Sequence, residues 1–206
     1  MKKLFAGILI FSIVFMPFSG AAAYAAEAND LVDSIVRTVT EDAKKAEYME
    51  KMNNDSVYIK QSERGKCTLA SCAMVMRRAA LLADDENWES ITEDALLSTA
   101  WLNGSGVRWS FSYGDYSMGH AYISGKEELK TLLEEHPEGI VAYDQWLPHA
   151  ILLTEYDSDT DTFYGADPSQ AAPYGLIDSR DSLISMDNVS VVWYITNIDE
   201  ICPFTI

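Results

Sequence analysis

Gln61-Ser-Glu-Arg-Gly-Lys-Cys67-Thr-Leu-Ala-Ser-Cys-Ala-Met-Val-Met-Arg-Arg-Ala-Ala-Leu-Leu82 changes character once, at Cys67. Up to Lys66 it is a polar loop containing a glycine. From Cys67 to Ala83 it is apolar nearly all round. A helix with so few polar residues belongs at the centre of a core, and Arg77 and Arg78 mark where it is expected to surface. The sequence therefore predicts a buried helix with a cysteine in its first turn. That position matters chemically. The first turn points backbone N–H groups and a partial positive charge at the side chain, and the reactive form of cysteine is the thiolate. Taken alone, Cys67 also reads as a small buried structural residue.

Upstream, Asp30 to Met52 reads as a helix: Val32, Ile35, Val36, Val39, Ala43, Ala46 and Met49 recur mostly at three- and four-residue steps. Asn53-Asn54-Asp55 ends it, and Val57 to Lys60 is a short strand or an extended lead-in. Downstream, Ser90-x-x-Glu93 reads as a capping box opening a helix through Trp101, with Gly104 and Gly106 closing it. Trp109 to Ile123, rich in Tyr, Ser and Gly, reads as loop or short strands. Ser124-x-x-Glu127 opens a further helix to Glu135, where His136 is placed to cap the last turn. Then the pattern changes. Gly139–Asp144, His149–Tyr156, Thr162–Asp167 and Val189–Thr196 are short runs rich in Val, Ile, Leu and Tyr, and Asp157-Ser-Asp-Thr-Asp161 joins two of them as a hairpin turn. Helices first and an antiparallel sheet after them is an α+β layout in one domain, residues 27–206.

Residues 1–26 read as an export signal. Lys2 and Lys3 supply the positive start, Leu4 to Phe18 the apolar run, and Ala23-Tyr24-Ala25 the small residues of a cleavage site. The run is shorter than the roughly 20 residues of a spanning helix, which favours a secreted or cell-envelope protein over an anchored one. Residues 27–55 then form a prosegment or an N-terminal helix of the domain. The chain has 15 basic and 32 acidic residues, net −17; without Lys2 and Lys3 the balance is 13 against 32, or −19. Nucleic acid and anionic membranes are poor partners for such a surface. Of the three cysteines, Cys67, Cys72 and Cys202, at least one is unpaired unless chains cross-link. Pairing Cys72 with Cys202 would leave Cys67 free, and both could equally be buried thiols. No cofactor or metal is expected: there is no zinc-binding spacing. Asp157, Asp159 and Asp161 lack the glycine and the final glutamate of a calcium loop, with Thr162 and Pro168 in those places.

A base for Cys67 has few candidates. His136 lies at a helix end and His120 in a Tyr- and Ser-rich loop. His149, in Pro148-His149-Ala150, opens a strand whose hairpin partner ends in Asp167-Pro168. Counted from a hairpin centre near Asp159, His149 is ten residues back and Asp167 eight forward, so the two lie nearly level across the ladder. An acid there would orient the imidazole and stabilise its charged form. Gln61, six residues before Cys67, could offer its amide, with the Cys67 backbone N–H, to a developing oxyanion.

In this order and spacing, Gln61…Cys67 and its helix, Pro148-His149-Ala150-Ile151-Leu152-Leu153, and Thr162-Phe163-Tyr164-Gly165-Ala166-Asp167-Pro168 resemble the papain-like cysteine peptidase superfamily. The nearest branch is the bacterial one typified by peptidases that trim double-glycine leaders, in a stand-alone secreted form. The resemblance implies a papain-like fold, Cys67 as nucleophile, His149 as base, Asp167 as orienting residue and Gln61 in the oxyanion hole. It implies a peptide or protein substrate and a thioester intermediate. Two departures stand out. Thr68-Leu69 follows the cysteine where many relatives have Gly-Pro, and no transporter is fused to the chain. A papain-like module that binds without turnover is the competing reading, and Trp88, Trp101, Trp109 and Trp146 would suit either a peptide groove or an interface.

Overall fold

The structure, a computed structural model, describes residues 21–102 and 106–204, with the backbone alone for 21–30. The charged start and apolar run of the export-signal reading lie outside these residues, as does Gly104. In chain order the elements are α1 (Ala21–Met52), α2 (Cys67–Leu82), α3 (Glu93–Ala100), β1 (Trp101–Leu102), β2 (Gly106–Val107), β3 (Phe111–Tyr113), β4 (Tyr116–Tyr122), α4 (Lys126–Glu135), β5 (Ile140–Asp144), β6 (His149–Asp157), β7 (Thr162–Ala166), β8 (Ile177–Asp178), β9 (Val189–Ile195) and α5 (Ile198–Ile201). Contacts divide the chain into two units, Met1–Asp42 and Ala43–Ile206. No helix among the described residues is long and apolar enough to cross a membrane.

The second unit is an α+β fold around one seven-stranded antiparallel sheet, ordered β3-β4-β9-β5-β6-β7-β8. Alternation along the strands serves both faces. Val141, Ala150, Leu152, Ala166, Val191 and Trp193 pack on α2 through Leu69, Cys72, Ala73 and Met76. Ile140, Ala142, Ile151, Leu153, Phe163 and Val192 pack on α4 through Leu129 and Leu133. Because both faces are covered, β5 and β6 read as continuous apolar runs rather than alternating ones.

Several expectations are corrected. Arg77 and Arg78 do not surface; both are buried. Backbone oxygens make this possible. Arg78 donates to the carbonyls of Met52, Pro137 and Glu138 at 2.7, 3.3 and 2.6 Å, and Arg77 to that of Ile91 at 2.6 Å. The cap of α3 is Thr92, whose hydroxyl accepts from the Ala95 N–H at 3.1 Å, not Ser90. At α4 it is Glu128, not Glu127, that reaches back to the Ser124 N–H, at 2.7 Å; Glu127 pairs with Lys130. The His136 ring turns to Glu138 at 3.0 Å instead of to the helix end. Trp101 leaves the helix for β1. The Tyr- and Ser-rich stretch contains β4, seven residues long and hydrogen-bonded to β9, so the sheet begins before α4 rather than after it.

Candidate active site

Cys67 begins α2, and its side chain is buried at the helix end nearest β6. Three groups near the thiol favour its charged form: the His149 ring, the Ala150 N–H and the Thr68 hydroxyl. Burial pushes the thiol up, but these groups and the charge of His149 outweigh it and hold the thiol below its ordinary value. Buried Cys72, one turn on, has burial without such partners and is pushed up. Cys72 and Cys202 are both free thiols.

His149 sits at the start of β6. Its Nε2 meets Asp167 Oδ1 at 2.7 Å, which leaves Nδ1 for Cys67. Burial opposes a charged imidazole; the Asp167 carboxylate and then Cys67 more than compensate, raising His149 to about 9. Asp167 is fixed on both oxygens. Oδ1 also accepts the Ser169 N–H at 2.8 Å and Oδ2 the Leu183 N–H at 3.0 Å. Burial pushes its carboxyl up, and the His149 bond with these two N–H groups brings it below the usual carboxylate range. A depressed thiol beside a raised imidazole is the condition for a thiolate–imidazolium pair.

The reach of Asp167 depends on a β-bulge. Near the turn Asp157 pairs with Thr162, and Glu155 with Tyr164; past Thr154 the register shifts, so that Leu153 pairs with Gly165 and Leu152 with Ala166. Continued, this sets Asp167 opposite Ile151, on the side of the sheet that His149 shares. Without the shift Asp167 would stand opposite Leu152 and point to the other face, since one residue of slip inverts a strand.

Gln61 lines the same cleft, about 490 Å³, with Arg64, Cys67, Leu147, His149 and Leu183. Its amide oxygen is buried and accepts no hydrogen bond from the protein. Its backbone is stapled to the acid's loop: the Gln61 N–H donates to Pro168 O at 2.8 Å, and Gln170 Nε2 donates to Gln61 O at 2.9 Å.

Two residues of this site are not among those read from the sequence. Lys60 places its ammonium among four carbonyls, those of Asp167, Ser169, Ala172 and Pro173, at 2.8, 2.8, 3.0 and 2.8 Å. It therefore gathers the loop that follows Asp167 around one charge. Glu93, buried, accepts the Ser62 N–H at 3.0 Å and the Ser62 hydroxyl, and pairs with Lys66 at 3.3 Å, which pins the loop between Gln61 and Cys67 from both ends. His120 is away from the thiol, its ring 4.6 Å from that of Trp109. No group of three or more metal-ligating side chains occurs among the described residues. No family model matches the chain, and no curated protein or solved structure matches it significantly.

Proposed function

We propose that the chain is a papain-like cysteine hydrolase that cleaves a peptide or other amide bond through a thioester on Cys67, nearest in kind to the bacterial double-glycine-leader branch in a stand-alone, exported form. The observation that carries this is the buried sequence of contacts from Cys67 to His149 to Asp167, with the thiol lowered and the imidazole raised. A structural cysteine has no use for such a pair, whereas a nucleophile requires it.

In the proposed reaction the Cys67 thiolate attacks the carbonyl carbon. The carbonyl oxygen, now negative, takes hydrogen bonds from the Gln61 amide and the Cys67 backbone N–H. The His149 imidazolium passes its proton to the leaving nitrogen as the C–N bond breaks, and the acyl group stays on sulfur. Neutral His149 then removes a proton from water, which attacks the thioester; Cys67 leaves as thiolate and the acid is released. Asp167 keeps the ring oriented through both halves. Residues 1–26 act as an export signal in this account, which puts the reaction at the cell envelope or outside the cell.

Incubating the protein with a mixed peptide library and with cell-wall fragments, followed by mass spectrometry, tests the reading. New amide-bond cleavage products that vanish in Cys67→Ala support it. Products that persist in Cys67→Ala, or the absence of any product together with tight binding, would replace it with the reading of a module that binds without turnover.

A further inference from the structure

We propose that Arg64 makes the Cys67 cleft selective for a peptide that carries a carboxylate, on an Asp or Glu side chain or at a free chain end, within about three residues of the bond that Cys67 attacks. The inference rests on the hydrolase reading for its link to cleavage, and on the loop before α2 for its place.

That loop carries two cations, and they go separate ways. Lys66 is spent within the protein: its ammonium pairs with Glu63 at 2.9 Å and with buried Glu93 at 3.3 Å. Arg64 pairs with neither acid. Among the described residues its side chain makes no salt bridge and no hydrogen bond; it is exposed, and it lines the cleft with Gln61, Cys67 and His149. Gly65 between the two cations, at φ +94, supplies the turn, in a conformation that glycine adopts without strain. Three trans peptide links place the Arg64 and Cys67 Cα atoms at most about 11 Å apart. An extended peptide rises about 3.3 Å per residue, so roughly three residues cover that span.

The lining of the cleft selects the sign of its ligand. No Asp or Glu lines it, and Arg64 is its one permanently charged side chain. The acid behind His149 is not free to take the guanidinium: Asp167 is buried, and its two oxygens are held by His149, Ser169 and Leu183. Arg64 therefore offers its fork of N–H donors to the occupant of the cleft, and a carboxylate matches that fork with two oxygens. A phosphate group is recognised by clusters of arginines, and this cleft has one. The chain as a whole, net −17, gives an anionic peptide no general attraction. A gain from a carboxylate must come from the local cation and depend on where the carboxylate sits.

The test is equilibrium binding of N-terminally labelled octapeptides to the full chain carrying Cys67→Ala, read by fluorescence anisotropy. C-terminally amidated peptides carry one Glu, or one Gln, walked along an Ala/Ser background; a further set has no Glu and a free C-terminal carboxylate. The expected result is about fivefold tighter binding of Glu over Gln at one position, or of the free chain end over its amide. The first outcome assigns the carboxylate to a side chain and the second to the chain end. Either preference is lost in Arg64→Gln and partly kept in Arg64→Lys, and in Arg64→Glu it turns toward Lys at the same position. No binding by any peptide, equal binding of all, an equal gain at every Glu position, or a preference that survives Arg64→Gln overturns the proposal. If the preference is found but the wild type cleaves none of these peptides, the hydrolase reading falls and the cleft stands as a carboxylate-binding site. If the wild type cleaves Glu and Gln peptides alike, hydrolysis stands and the role of Arg64 falls.

Discussion

His149 and Asp167 meet at 2.7 Å across a ladder that has slipped by one residue at Thr154. Gly165 faces that slip. A Cβ there would press into the Leu152 carbonyl oxygen, with Leu152 C and Leu153 Cα at 3.1 and 3.2 Å. Gly165→Ala must open the ladder where the bulge sets the face of Asp167. It is expected to cost about 1–3 kcal/mol in urea unfolding and to reduce turnover more than the stability loss alone explains. Wild-type stability in Gly165→Ala would show that the strands have room to spare.

Asp167 is the main support of the charged His149 ring, so Asp167→Asn should move the high-pH limb of activity. In the proposed reaction the imidazolium supplies the proton to the leaving group, so activity is expected to fall as it deprotonates at about 9. Without the carboxylate the limb moves toward the ordinary value of about 6.5. Stability carries the same sign. A histidine raised in the folded state contributes stability that is complete below about 6.5 and is lost as pH rises through about 9. The stability gap between wild type and Asp167→Asn should therefore narrow over that window. A pH–rate profile that keeps its limb in the variant contradicts the assignment.

Lys60 gathers four carbonyls of the loop after Asp167, and Gln61 beside it is tied to Pro168. Lys60→Met leaves those carbonyls to find other donors. Stability should drop by about 2 kcal/mol or more and kcat by about 10²-fold, the scale of a 1 Å misplacement. Lys60→Arg should rescue poorly, because a planar guanidinium cannot replace a compact ammonium among four acceptors. Full activity in Lys60→Met would reduce this residue to a surface cation.

Gln61→Ala should lower kcat by roughly 10²-fold with little change in KM, since its donor acts on the charged intermediate. Gln61→Glu should be at least as damaging. Glu93→Ala, which frees Ser62 and Lys66, should loosen the same loop and give a smaller fall of the same kind. Steady-state kinetics on one verified substrate separates these cases; unchanged kcat in Gln61→Ala removes the oxyanion role.

Much of the site's framework is legible in the chain because it is local. The unbroken apolar run after Cys67 does become the central helix, and the acids from Asp157 to Asp161 do turn the hairpin. The His149–Asp167 adjacency is legible by counting, though for a reason the count does not contain. The true turn centre lies half a residue beyond Asp159, and the Thr154 bulge restores the match. Lys60 and Glu93 are not legible, because their partners, backbone carbonyls for Lys60 and the Ser62 and Lys66 groups for Glu93, lie far along the chain and no periodicity records them. The burial of Arg77 and Arg78 depends likewise on carbonyls at distant chain turns. β4 is disguised by Ser117, Gly119 and His120, and becomes a strand because β9 offers it a partner.

The rate of Cys67 alkylation by iodoacetamide as a function of pH, in wild type and in His149→Ala, tests the central claim most directly. The account predicts a midpoint below the ordinary thiol value in the wild type. In His149→Ala it predicts a midpoint above that value, because burial is then opposed only by the Ala150 N–H and the Thr68 hydroxyl. A wild-type midpoint at or above the ordinary value, unmoved by His149→Ala, would show that Cys67 is a buried structural thiol and that no thiolate–imidazolium pair exists.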